Sequence, residues 1–117
     1  MRDEAELLSD PAIVRGIAAG PGTYTGTARV IHEPGQLARL QPGDVLITPS
    51  TSERFDTVLP LLGALVTDTG GLSSRAATAS RDHGIPGVVG TRFATTLIDD
   101  GALIRVHGDT GEVEVLG

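Results

Sequence analysis

Apolar residues in this chain fall into short runs separated by turns, and the period of the runs changes along the sequence. Val45–Thr48 and Ala64–Val66 are continuous apolar stretches, the pattern of strands buried on both faces. Thr23–His32 alternates loosely and is rich in β-branched residues, which predicts a strand. Ile13–Ala18 is predicted as a first strand, followed by the turn signal Gly20-Pro-Gly22. Val88–Val89 reads as a short strand. The chain closes with predicted strands Leu103–Val106 and Glu112–Leu116, joined by the hairpin-like turn Gly108-Asp-Thr-Gly111.

Helical spacing appears between these strands. Phe55, Val58, Leu59 and Leu62 recur at the helical period and predict a helix over Arg54–Leu62, although Pro60 opposes its interior. Pro49-Ser-Thr-Ser52 before it is a hydroxyl-rich loop suited to capping. A second helix is predicted over Ser73–His83, with shorter pieces at Gln36–Leu40 and Ala94–Leu97. Residues 1–11 read as a charged lead-in, with one helical turn at most, ended by Pro11. The expected organisation is a lead-in over 1–12 and one domain over 13–117. Interleaved strands and short helices predict an α/β sandwich of sheets with helices packed alongside.

Composition narrows this picture. A chain of 117 residues fits one domain and can bury a sufficient core without staples. Only 3% of residues are aromatic, so the core must be built from Val, Leu, Ile and Ala. The absence of cysteine excludes disulfides and thiolate chemistry. Net charge is −6 and every basic residue is Arg, which argues against nonspecific binding to nucleic acid or anionic membranes. No apolar run approaches the length of a membrane span, and the start is too acidic for a signal peptide, so a cytoplasmic protein is expected. Met1 and the close at Leu116-Gly117 read as a complete small protein, and a domain cut from a longer chain would look the same. Three scattered histidines do not make a metal site, and no cofactor is implied.

Candidate chemistry concentrates in Val66–Gly90. The stretch reads as a buried strand, a Gly-Gly turn, a helix of small residues, then Gly-Ile-Pro and a second strand. Gly70 and Gly71 let the backbone turn sharply and approach a ligand. The first amides of the following helix have no partner inside it, and the positive end of the helix dipole lies behind them. Thr69, Ser73 and Ser74 add hydroxyl donors, an arrangement that suits phosphate or carboxylate. The plainer reading is a strand-to-helix turn with Ser73 as an N-cap, and spacing alone leaves both open.

The same stretch closely resembles the signature of the phosphohistidine swivelling domain, the mobile domain of PEP-utilising enzymes. That pattern runs roughly Thr-Asp-x-Gly-Gly-x-x-Ser-His-Ala-Ala-x-x-Ala-Arg-Glu-x-Gly-Ile-Pro-x-Val-Val-Gly and lies on this sequence without a gap. Pro42-Gly-Asp-Val-Leu-Ile-Thr48 and Gly108-Asp-Thr-Gly-Glu-Val113 resemble two further family segments, so the likeness covers about residues 16–116. The resemblance implies a compact β/β/α swivelling-domain sandwich. It also implies that Arg75 occupies the position of the family's phosphoryl-carrying histidine.

Imidazole serves as a carrier because it offers a lone pair near neutral pH. A guanidinium stays protonated and offers donors only. Arg75 is therefore unsuited to accept a phosphoryl group by that route, but its planar fork suits two-point contact with an anion. The predicted anion-binding set is Thr69, Gly70, Gly71, Ser73, Ser74 and Arg75, with Arg75 the candidate catalytic position. Drift to a solvated side chain, or an engineered change, stays open beside it.

The other candidates read as structural. His83 lies about 12 Å along the helix from Arg75 and roughly 80° around it, and is expected to cap or face solvent. His32 is expected to be exposed and His107 to be structural. Arg81-Asp82 suggests a solvated pair or a helix-end contact, and Ala76, Ala77, Ala79 and Ser80 suggest close helix-to-sheet packing. Glu53-Arg54 after Thr51-Ser52 departs from the resembled pattern on the side of the presumed site.

Three functions compete. In the first, the chain is a binding module that holds a small anionic ligand or a partner at the Gly70–Arg75 turn. In the second, it is the mobile subunit of a PEP- or ATP-dependent phosphotransferase, with nucleotide-binding and PEP- or substrate-binding subunits as partners. In the third, it is a repurposed small enzyme in which Arg75 orients an anionic substrate, assisted by Asp68, Ser73 and Ser74. That third reading requires a closed pocket beside Arg75.

Overall fold

The two continuous apolar runs become neighbouring parallel strands at the centre of an eight-stranded sheet. A computed structural model describes residues 12–117; the lead-in expected over 1–12 lies outside them except for Ala12, which begins the first strand. The strands are β1 (Ala12–Arg15), β2 (Ile17–Gly20), β3 (Thr23–Val30), β4 (Val45–Thr48), β5 (Ala64–Thr67), β6 (Gly87–Val89), β7 (Leu103–His107) and β8 (Glu112–Val115). Their order across the sheet is β1-β8-β7-β3-β4-β5-β6-β2. β3 to β6 run parallel, and the pairings at both flanks are antiparallel.

Alternation along β4 and β5 divides the interior in two. Val45, Ile47, Ala64 and Val66 face a core shared with Ile104, Val106 and Val113 from the antiparallel strands. Leu46 and Leu65 face the opposite way, onto Phe55, Leu59, Leu62 and the helical residues Ala76 and Ala77. This is a β/β/α layering, and every residue of β4 and β5 is buried because both faces are covered. The helices are α1 (Arg75–His83) and α2 (Ala94–Leu97), with 3₁₀ turns at Pro34–Arg39, Glu53–Phe55 and Leu59–Leu61. Among the described residues, no helix is long and apolar enough to cross a membrane.

Where the expected elements differ, a local cause is visible. The single strand expected over Ile13–Ala18 is two strands, broken at Gly16, that lie at opposite ends of the sheet order. The chain passes from one sheet edge to the other through this one residue, so the sheet wraps round on itself. A Cβ at Gly16 would stand 2.5 Å from the Val89 carbonyl oxygen, which only glycine avoids. The helix expected over Arg54–Leu62 is two separate 3₁₀ turns. Phe55, Leu59 and Leu62 are buried as the spacing required, but Pro60 allows no continuous helix through them. Gln36–Leu40 likewise forms 3₁₀ backbone rather than an α-helix.

Candidate functional site

The turn after β5 is built by hydrogen bonds that draw two loops together. The Thr69 N–H and hydroxyl both donate to the Pro49 carbonyl at 3.0 Å, and the Thr67 hydroxyl donates to the Thr69 carbonyl at 2.8 Å. Gly70 follows at φ 101°, a conformation that strains any residue with a side chain. A Cβ there would also meet the Ser74 side chain at 2.9 Å.

Helix α1 is capped by Ser74, not Ser73, and begins at Arg75. The Ser74 hydroxyl accepts from the Ala77 N–H at 3.2 Å and donates to the Gly71 carbonyl at 2.7 Å. The hydroxyls of Thr69 and Ser74 therefore hold the turn itself rather than standing free for a ligand. Ser73 is exposed and lies on the outer side of the helix start. The N–H groups of Arg75 and Ala76 meet no acceptor among the described residues, the ordinary condition of a helix's first turn.

The rest of α1 is fastened to the sheet. Ala76, Ala77 and Ser80 are buried, and Ser80 lies directly against Gly20 and Gly87. Arg81 donates to the Leu72 carbonyl at 2.9 Å and to the Ala19 carbonyl at 3.4 Å, tying the helix to the loop before it and to β2. Gly84 ends the helix in the left-handed conformation, with φ 65°. The first turn is thus held at both its cap and its base.

Arg75 is the first helical residue. Its side chain is 52% exposed, and its Nη1 lies 3.9 Å from Oδ2 of Asp56, in the turn that follows the Glu53–Phe55 3₁₀ segment. A pair this exposed is worth little by itself. On one side of Arg75 is a small hollow of about 50 Å³, bordered by Thr51, Thr67, Thr69, Gly70 and Ser74. The Thr51 hydroxyl there is buried without a hydrogen-bond partner among the described residues. A buried hydroxyl left unpaired is unfavourable by about 1–3 kcal/mol. On the other side is an open groove of about 660 Å³ between α1 and the 3₁₀ turns.

The remaining candidates lie elsewhere. Both Asp68 carboxylate oxygens accept from Thr95, at 2.9 Å from its N–H and 2.6 Å from its hydroxyl, so this carboxylate anchors α2. His83 is exposed, with Nδ1 3.0 Å from the Ala79 carbonyl. His107 pairs with Glu114 across the β7–β8 hairpin, and His32 is exposed at the end of β3. Among the described residues, no group of three or more His, Asp or Glu is placed to hold a metal ion. Asp56 was not legible as a site residue, because a continuous helix over its segment gave no reason to place it opposite Arg75.

Comparison with known proteins agrees with this architecture. The family model for the PEP-utilising enzyme mobile domain matches residues 40–111. The chain is 40% identical over 101 residues to the uncharacterised phosphotransferase YvkC of Bacillus subtilis, covering 86% of this chain and 12% of that protein. It is 40% identical over 109 residues to a rifampicin phosphotransferase of Streptomyces sviceus, covering 93% of this chain and 12% of that one. The chain thus spans about an eighth of the length of these relatives. Among solved structures, an Enzyme I (nEIt) protein superposes with a TM-score of 0.59 at 30% identity, over 68% of this chain and 33% of its own.

Proposed function

This chain belongs to the family of PEP-utilising enzyme mobile domains, and on that premise we propose that it lacks the phosphoryl-accepting histidine and binds an anionic ligand or partner at the Gly70–Arg75 turn. The observation that carries this reading is the meeting of three kinds of hydrogen-bond donor at one turn. They are the half-exposed Arg75 guanidinium, the unpaired N–H groups of Arg75 and Ala76, and the buried Thr51 hydroxyl beside them. Each favours an oxyanion, the first two through charge and donor geometry and the third by donating a hydrogen bond. Thr69, Gly70, Gly71 and Ser74 act as the frame that fixes these donors, and Ser73 lines the approach.

Thermal denaturation with and without phosphate tests this. A ligand that binds only the folded state stabilises it by about 2.7 kcal/mol at a hundredfold excess over Kd, a shift of several degrees in Tm for a domain near this size. Phosphate, sulfate and PEP are expected to raise the Tm of the wild type and to leave Arg75→Ala unmoved. Equal shifts in both proteins would remove the case for the site.

A second reading is the mobile part of a phosphotransferase whose nucleotide-binding and PEP- or substrate-binding sites lie on other domains or subunits. It is supported by the phosphotransferase relatives, of which this chain matches only a fraction. Incubation with labelled donors and candidate partners discriminates it. The first reading expects no acid-labile label on the wild type and a gain of label in Arg75→His; label on His83 of the wild type would favour the carrier reading. The repurposed-enzyme reading loses ground, because the hollow at Arg75 is too small for an organic substrate and the larger cavity is an open groove that does not exclude water.

A further inference from the structure

We propose that the groove beside Arg75 selects the ligand's class: an oxyanion, such as a phosphomonoester, whose body carries an ammonium group. This rests on the anion-binding reading of the Gly70–Arg75 turn and goes beyond it.

Arg75, Thr78, Ala79 and Asp82 fall at positions i, i+3, i+4 and i+7 of α1, a single stripe of the helix. A stripe turned to the core would be apolar, and in α1 that duty falls to Ala76, Ala77 and Ser80. The polar stripe instead forms one wall of the groove of about 660 Å³, with Asp56 and Leu59 opposite. That volume lies within the range of small-molecule sites, about 300–1,000 Å³. Leu59 and Ala79 add apolar atoms to the groove's lining.

Charge decides what fits. Of the groove's lining residues, Arg75 at the helix start is the one arginine, and His83 lines the far end beside Asp82. Asp56 lies 3.9 Å from Arg75, and Asp82 is about 10 Å further along the helix axis. An oxyanion bound at Arg75 therefore has a carboxylate beside it and another down the groove. A second negative group on the ligand meets repulsion at both, whereas an ammonium group meets attraction. The Arg75–Asp56 pair is loose, with both side chains more than half exposed, so a zwitterionic ligand can satisfy both partners at once.

Calorimetric titration of O-phosphoethanolamine, inorganic phosphate and PEP at constant ionic strength tests this, using the wild type, Asp56→Asn/Asp82→Asn and Arg75→Ala. Both aspartates are exposed, and circular dichroism checks that the variants keep their fold. The wild type is expected to bind phosphoethanolamine about fivefold more tightly than phosphate, with PEP weakest. The double variant is expected to lose that preference and to bind PEP more tightly than the wild type does. Phosphate or PEP binding as tightly as phosphoethanolamine in the wild type, or a preference that survives in the double variant, overturns the inference. If phosphate binds in an Arg75-dependent way without any preference, only this inference fails. If none of the three binds, the anion-binding reading fails with it.

Discussion

Ser74 packs against Gly70 so closely that a Cβ on the glycine would lie 2.9 Å from both the Cβ and the Oγ of the serine. The sharp turn and the helix cap are one unit, and Arg75 follows directly from it. Gly70→Ala is therefore expected to destabilise the fold by about 1–3 kcal/mol, from its φ of 101° and from the displaced cap together. Urea denaturation reads the stability, and a parallel phosphate titration should show weaker binding. An unchanged midpoint would mean that the turn relaxes without the cap.

Substitutions at Ser74 separate framing from binding. Ser74→Ala removes the cap on the Ala77 N–H and is expected to destabilise by about 1 kcal/mol. Ser74→Asp keeps a capping oxygen and should hold most of the stability, yet its negative charge beside Arg75 should weaken phosphate binding. Stability and affinity falling together in Ser74→Asp would contradict that division of labour.

The wrapped sheet has its own weak point at Tyr24. Its hydroxyl donates to the Gly43 carbonyl at 2.6 Å, and its ring fills the space a side chain at Gly63 would need, 2.1 Å from two ring carbons. Tyr24→Phe is expected to lower stability by about 1 kcal/mol through the lost hydrogen bond. Gly63→Ala should destabilise by about 1–3 kcal/mol through overpacking. Combined with Tyr24→Ala it should be markedly less than additive, because the clash is then gone. Additivity in the double variant would show that the two positions do not share this space.

Much of the layering was legible in single residues. Val45–Thr48 and the run from Ala64 read as strands covered on both faces, and Leu46 and Leu65 do face one core while Val45, Ile47 and Val66 face the other. The small helix residues read as packing, and Ala76, Ala77 and Ser80 are buried against the sheet. The spacing of Phe55, Leu59 and Leu62 marked burial correctly but not helix, because Pro60 divides the segment into short turns that share the same inward residues. Gly16 was the one signal in sequence that its strand would break.

The site was less legible for a different reason. Hydroxyl residues near a Gly-Gly turn look like ligand donors, but their internal partners depend on loops distant in sequence. Thr69 is committed to Pro49, twenty positions away, and Asp68 to Thr95, twenty-seven away. The unpaired Thr51 hydroxyl and the position of Asp56 opposite Arg75 arise only once the 3₁₀ segments pack beside α1.

The most direct measurement is an amide NMR titration of the ¹⁵N-labelled chain with phosphate, wild type against Arg75→Ala. Saturable shifts should concentrate at the N–H groups of Arg75 and Ala76 and their neighbours in the turn, and should vanish in the variant. Shifts spread evenly over other exposed arginines such as Arg15 and Arg54, or persisting at the turn without Arg75, would contradict the account.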